Sequence, residues 1–279
     1  MKPYIQLIRP LNCVMAAVAV FIGALIAVGF GALNDNNGFN ITIACIVAFL
    51  FTGAGNSLND YFDREIDKIN HPQRPIPSRK IIPRRALMLA SILFIISLIF
   101  AMLINYIAFI IVIANLIVMI SYEIFFKAKG TAGNITISWL TGTTFLFGGA
   151  AVFAVEKTII LAILAFLATF GREIAKDIED IMGDRGRFTL PMNIGEKNAG
   201  IIASSSIFIG ILLSPLPPLL GLFPEKGSFF YSIIIMVADA IFIYCMFLLL
   251  RGKTSASMPI KGAMLIALIA FLCGGILQV

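Results

Sequence analysis

Two short stretches of this chain concentrate carboxylates at the ends of long apolar runs. NDYFDREID (59–67) carries Asp60, Asp63 and Asp67, and DIEDIMGD (177–184) repeats the i, i+3, i+7 spacing with Asp177, Asp180 and Asp184. At about 100° per residue, these offsets keep three side chains within roughly 60° of helix surface, spread over about 10 Å of axis. Each run is therefore expected to form one acidic stripe on one helix face, with Glu65 off that face and solvated. Local pairing with Arg64, Lys68, Arg172, Lys176, Arg185 and Arg187 is the structural alternative. Three aligned acids nevertheless repel one another by more than cations on other faces offset, and the spacing occurs twice.

The chemistry this points to is divalent-cation binding. His71 is the only histidine, and Cys13, Cys45, Cys245 and Cys273 are scattered through apolar runs without C-x-x-C spacing. The ligands would then be oxygens alone, which favours a hard cation. Mg²⁺ binds through one or two carboxylates and keeps places for substrate phosphates and water, so a diphosphate held between two acidic stripes follows. Arg74, Arg79 and Lys80 after the first motif, and Lys127 and Lys129 further on, suit such an anion, arginine offering bidentate contacts. For any one of them, ordinary loop charge is an equal reading. Lys176, at helical spacing from Glu173 and Asp180, suits an ion pair as well as a substrate contact.

The elements that must position these residues are membrane spans. The chain is 59% hydrophobic and 13% charged over 279 residues, with a mean hydropathy of +0.98, outside the range of soluble domains. A hydrocarbon core of about 30 Å needs roughly 20 apolar residues per helix. Hydropathy predicts nine spans, near 12–33, 40–62, 84–104, 106–126, 132–154, 158–180, 198–221, 229–250 and 260–277, forming an all-α polytopic protein with a single transmembrane domain over 1–279. The first span follows an amphipathic start, MKPYIQLIRPLN, without a small-residue cleavage signal, and is expected to be retained. Of the 21 Lys and Arg, only Lys157 and Lys226 fall in the connections after odd-numbered spans. This bias puts both acidic motifs at the cytoplasmic face of the cell membrane. It also accounts for the net charge of +6 without a nucleic-acid surface.

NDYFDREID resembles the N-D-x-x-D-x-x-x-D motif of the UbiA superfamily of intramembrane prenyltransferases, and DIEDIMGD resembles its second aspartate motif. The likeness extends to IRPLN, to RPIPS at 74–78, to SYEIFFK ending span four, and to TLPMNIG at 189–195. One departure is the Arg79 of PSRK, where the family commonly has glycine. The resemblance implies helices around a central cavity and Mg²⁺ held by Asp60, Asp63, Asp177 and Asp180, with Asp67 and Asp184 as further ligands or supports. It also implies diphosphate contacts from Asn56, Asn59, Arg74, Tyr122, Lys127 and Lys176. REIAKDIEDIMGDR resembles most closely the archaeal members that join geranylgeranyl diphosphate to the hydroxyl of geranylgeranylglyceryl phosphate. An aromatic or tetrapyrrole acceptor is the alternative within the superfamily. A cation transporter fits less well, since both motifs sit at one face rather than at the bilayer midplane. A CDP-alcohol phosphotransferase lacks its D-G-x-x-A-R signature here.

Overall fold

The computed structural model describes residues 2–29, 37–127, 130–181, 189–252 and 255–277. Among them there is no strand. The helices are α1 (Lys2–Ile8), α2 (Pro10–Val28), α3 (Asn37–Phe62), α4 (Arg64–Asn70), α5 (Pro83–Ile104), α6 (Tyr106–Ser121), α7 (Thr131–Ala151), α8 (Ile159–Glu179), α9 (Leu190–Ile194), α10 (Glu196–Leu213), α11 (Leu216–Leu219), α12 (Glu225–Leu250) and α13 (Ser257–Ile276). A π-helical turn, Tyr122–Phe126, extends α6, and a 3₁₀ turn, Val155–Thr158, precedes α8.

Nine of these helices are long, and they correspond one for one to the nine predicted spans. Eight are long and apolar enough to cross a membrane. The exception is α7, whose sequence TAGNITISWLTGTTFLFGGAA is rich in threonine and glycine. Its place in the bundle explains the difference. It packs against α2 and α8, with α6 alongside, so its surface meets protein, where small residues let backbones approach closely. A Cβ at Gly148 would lie 2.2 Å from the carbonyl oxygen of Val20 on α2, and one at Gly142 would lie 2.7 Å from that of Ala162 on α8. The α7 hydroxyls bond largely within the helix, as Thr136 does to Ala132 O and Thr141 to Ile137 O. Outer helices read oppositely: Ile92, Ile95 and Ile99 of α5 and Ile110 and Ile117 of α6 are exposed, as a lipid-facing surface requires.

The helices run round a central space. One arc is α2, α3, α5, α6 and α7; the other is α8, α10, α12 and α13, and α13 returns to touch α2 and α8. Asn105, between α5 and α6, closes a corner of the first arc by accepting from Ala108 N and donating to Ala150 O of α7 at 2.8 Å. Tyr231 does the same in the second, buried and donating to Ser214 O at 2.7 Å. The space enclosed is a cavity of about 880 Å³, within the usual size of ligand pockets. The predicted end of span one, to residue 33, runs beyond the described residues.

Candidate active site

The first acidic stripe survives a one-residue interruption. Asp63 stands between α3 and α4 with right-handed helical dihedrals, and the helical ladder continues through it, Asp63 N bonding to Asn59 O and Asp67 N to Asp63 O. Asp60, Asp63 and Asp67 all have low exposure, at 2%, 9% and 3%. Buried acids need partners, and each has a cation. Asp60 pairs with Arg9, whose backbone sits at φ 51° just before Pro10, a left-handed conformation that concentrates at functional sites. Arg74 Nη1 lies 2.7 Å from Asp67 Oδ2 and 3.8 Å from Asp60 Oδ1. Lys127 Nζ lies 2.9 Å from Asp63 Oδ1 and 2.7 Å from Glu123 Oε2.

Local structure delivers those cations. The loop after α4 folds on itself, with Ser78 Oγ donating to Arg74 O at 2.7 Å and Ile81 N bonding to Pro75 O. Ile76 and Ile81 anchor it by packing with Leu7 and Ala86. Arg79, the departure from the family pattern, lies at φ 61°, the region where glycine carries no Cβ penalty. The π turn carries Glu123 and Lys127 to the acids, and the Lys127 ammonium also sits 5.7 Å from the centre of the Tyr122 ring. Such turns recur at functional sites. Asn59 Nδ2 donates to Glu123 Oε1 at 3.1 Å, while Asn56 Nδ2 donates to Ile8 O at 2.8 Å and ties α3 to the start of the chain. Glu65 points elsewhere, and a hydrogen bond from Lys68 holds its exposed carboxyl below the usual carboxylate range.

The second motif is built differently. Helix α8 ends at Glu179, and Asp180 caps it at φ −90°. Asp177 accepts from Asn134 Nδ2 of α7 at 2.9 Å. Asp184 lies outside the described residues. Glu179 turns to α13, accepting from Ser257 N at 2.8 Å and from Ser257 Oγ.

Both motifs meet at one cavity. Its wall includes Asn56, Asn59, Asp63, Asp67, Arg74, Tyr122 and Lys127 from the first arc, and Lys176 and Asp180 facing them from α8. Asp60 and Asp177 stand behind the wall, covered by Arg9 and engaged by Asn134 respectively. The oxygen-only donor set fits a hard cation such as Mg²⁺, although no three metal-ligating side chains converge among the described residues. Arg9, Glu123, Asn134 and Glu179 were not singled out by acid spacing. Arg9 and Glu123 stand inside IRPLN and SYEIFFK, stretches whose family resemblance was a signal; Asn134 has none. Away from the acidic motifs the cavity wall is mostly apolar, with Phe145, Ile235, Phe242 and Phe271 on it, but it also carries Asn115, Thr143 and the Asp239 carboxylate, which accepts from Ser214 Oγ at 2.7 Å.

This combination of acids, cations and an apolar chamber agrees with the comparisons. A family model described as the UbiA prenyltransferase family matches residues 16–272. The chain is 40% identical to the digeranylgeranylglyceryl phosphate synthase of Methanothermobacter thermautotrophicus, over 98% of this chain and 96% of that protein. To the one from Methanococcoides burtonii it is 42% identical, over 98% and 100%. A solved structure described as digeranylgeranylglyceryl phosphate synthase in membranes superposes with a TM-score of 0.82 at 36% identity, covering 99% of this chain and 98% of that one. A UbiA homolog from Archaeoglobus fulgidus bound to DMAPP and Mg²⁺ shares the fold at TM-score 0.73 and 16% identity, over 98% and 97%. The chain is a multi-pass membrane protein belonging to the UbiA prenyltransferase family.

Proposed function

We propose that this protein transfers the geranylgeranyl group of geranylgeranyl diphosphate to the hydroxyl of geranylgeranylglyceryl phosphate, releasing diphosphate, in archaeal ether-lipid biosynthesis. The observation that carries this reading is the near-full-length identity of about 40% to digeranylgeranylglyceryl phosphate synthases. The cavity suits it, having a charged mouth and a mostly apolar interior.

Asp60, Asp63 and Asp67 on one side, and Asp177, Asp180 and Asp184 on the other, would hold Mg²⁺. When bound, the metal supplies positive charge to the diphosphate oxygens. The chain's own residues do the rest. Arg74 and Lys127, already placed by Asp67 and Asp63, stabilise the charge that grows on the leaving diphosphate as the allylic C–O bond breaks. The bonding pair leaves with the diphosphate, and the electron-deficient C1 faces the Tyr122 ring, whose π-face attracts positive charge. Asn56 and Asn59 hold the α3 end of the wall in register and offer amides to the diphosphate. Apolar walls exclude water that would otherwise capture the cation. The acceptor hydroxyl then forms the new C–O bond and loses its proton within the mouth, to an acid there or to the departing diphosphate. The excess of Lys and Arg in the connections on this side supports a cytoplasmic position for the mouth.

Purified protein given Mg²⁺ and geranylgeranyl diphosphate, with either geranylgeranylglyceryl phosphate or 4-hydroxybenzoate, should yield only the diether by mass spectrometry. Prenylation of the aromatic acceptor alone would overturn the acceptor, and undiminished turnover in EDTA would overturn the metal.

A further inference from the structure

The cations at the cavity mouth fall into two groups. Arg9, Arg74 and Lys127 are engaged by Asp60, Asp67, Asp63 and Glu123. Across the mouth, Arg172, Lys176 and Lys261 line the same cavity, and neither Lys176 nor Lys261 has an ion pair among the described residues. Arg172 gives Nη1 to Glu173 Oε1 at 2.6 Å, while its Nε is buried with no hydrogen-bond partner. An orphaned buried guanidinium N–H is a rare and unfavourable arrangement unless a ligand completes it.

The backbone brings these three together. Arg172 and Lys176 are four residues apart on α8 and therefore share a face. Lys261 comes from α13, where the Glu179 carboxylate clips the helix start through Ser257 N and Oγ. Ser257 and Lys261 are also four residues apart, so the face that meets the end of α8 at Ser257 presents Lys261 one turn later.

We propose that Arg172, Lys176 and Lys261 form a phosphomonoester site that receives the phosphate of the glyceryl phosphate acceptor, opposite the donor diphosphate. This rests on the acceptor assigned above. Two phosphate-bearing substrates must meet at one mouth, because only a few bonds separate the acceptor's hydroxyl from its phosphate, and that hydroxyl must touch donor C1. Acids line both sides of the mouth, Asp63 and Asp67 from the first arc and Asp180 from α8, and draw metal and diphosphate between them, while Arg74 and Lys127 bias the diphosphate toward the first arc. Lys176 and Lys261, which have no ion pair among the described residues, and the unpartnered Nε of Arg172 leave one place for a second anion, and an ammonium or guanidinium bond to phosphate is among the stronger hydrogen bonds.

The test compares geranylgeranylglyceryl phosphate with its dephosphorylated alcohol as acceptors, at saturating Mg²⁺ and geranylgeranyl diphosphate. Wild type should prefer the phosphorylated acceptor. Lys261→Gln should raise KM for that acceptor on the order of tenfold, leave KM for the donor unchanged, and erase most of the preference, with Lys261→Arg restoring it. Lys261 is exposed, so these variants keep the fold. A preference retained in both Lys261→Gln and Arg172→Lys, or a rise confined to donor KM, would overturn the site. Wild type that ignores the glyceryl phosphate altogether would instead overturn the acceptor reading.

Discussion

The two acidic motifs share a spacing and differ in what surrounds them. Asp60, Asp63 and Asp67 are each met by a cation, from Arg9, Lys127 and Arg74. In the second motif the described bonds to acids come from neutral groups: Asn134 gives an amide to Asp177, and Ser257 gives its N–H and hydroxyl to Glu179. The difference separates two tasks that one sequence pattern conceals. In the first motif, positive charge is committed to holding buried carboxylates in place. In the second, the described donors to Asp177 and Glu179 are neutral, and Lys176 and Lys261 at the same cavity have no ion pair among the described residues.

Removing a cation should therefore cost more than removing an amide. Lys127→Met withdraws the one ammonium bonded to both Asp63 and Glu123, in a side chain only 11% exposed. Breaking such a buried pair destabilises by about 3 kcal/mol, and prenyl transfer should fall by about 10²-fold or more. Unfolding in mixed micelles and product formation measure the two. Asn134→Ala should cost about 1–2 kcal/mol by the same unfolding assay; a loss equal to that of Lys127→Met would erase the contrast. The smallest effect belongs to the loop that carries Arg74 to Asp67. Arg79→Gly relieves a left-handed residue and should raise stability by about 0.5–1 kcal/mol, and an unchanged or lowered unfolding midpoint would count against strain there.

Much of the scaffold could be read from hydropathy because eight of the nine long helices are long and apolar enough to cross a membrane. The acidic motifs stood out for the opposite reason, being expensive residues at the ends of such helices. Their partners were less visible. Arg9 reaches Asp60 across 51 residues, and Asn134 reaches Asp177 across 43; spacing rules describe neighbours on one helix and say nothing about pairs made by packing. Asp184, the last acid of the second stripe, lies outside the described residues, and α8 stops at Glu179. No proline or glycine precedes that end to mark it. The π turn at Tyr122–Phe126 was equally hidden, since SYEIFFK reads as ordinary helix.

Helix α7 has a consequence for how the protein is made. Its glycines and threonines give it a weaker tendency to leave water for lipid than its neighbours have, yet its hydroxyls are largely satisfied by its own turns and its grooves match α2 and α8. Such a segment gains its place from company. Emerging after α2 and before α8, it can lean on the first of these while awaiting the second, so the order of synthesis supplies partners in the sequence that the least lipid-seeking helix needs.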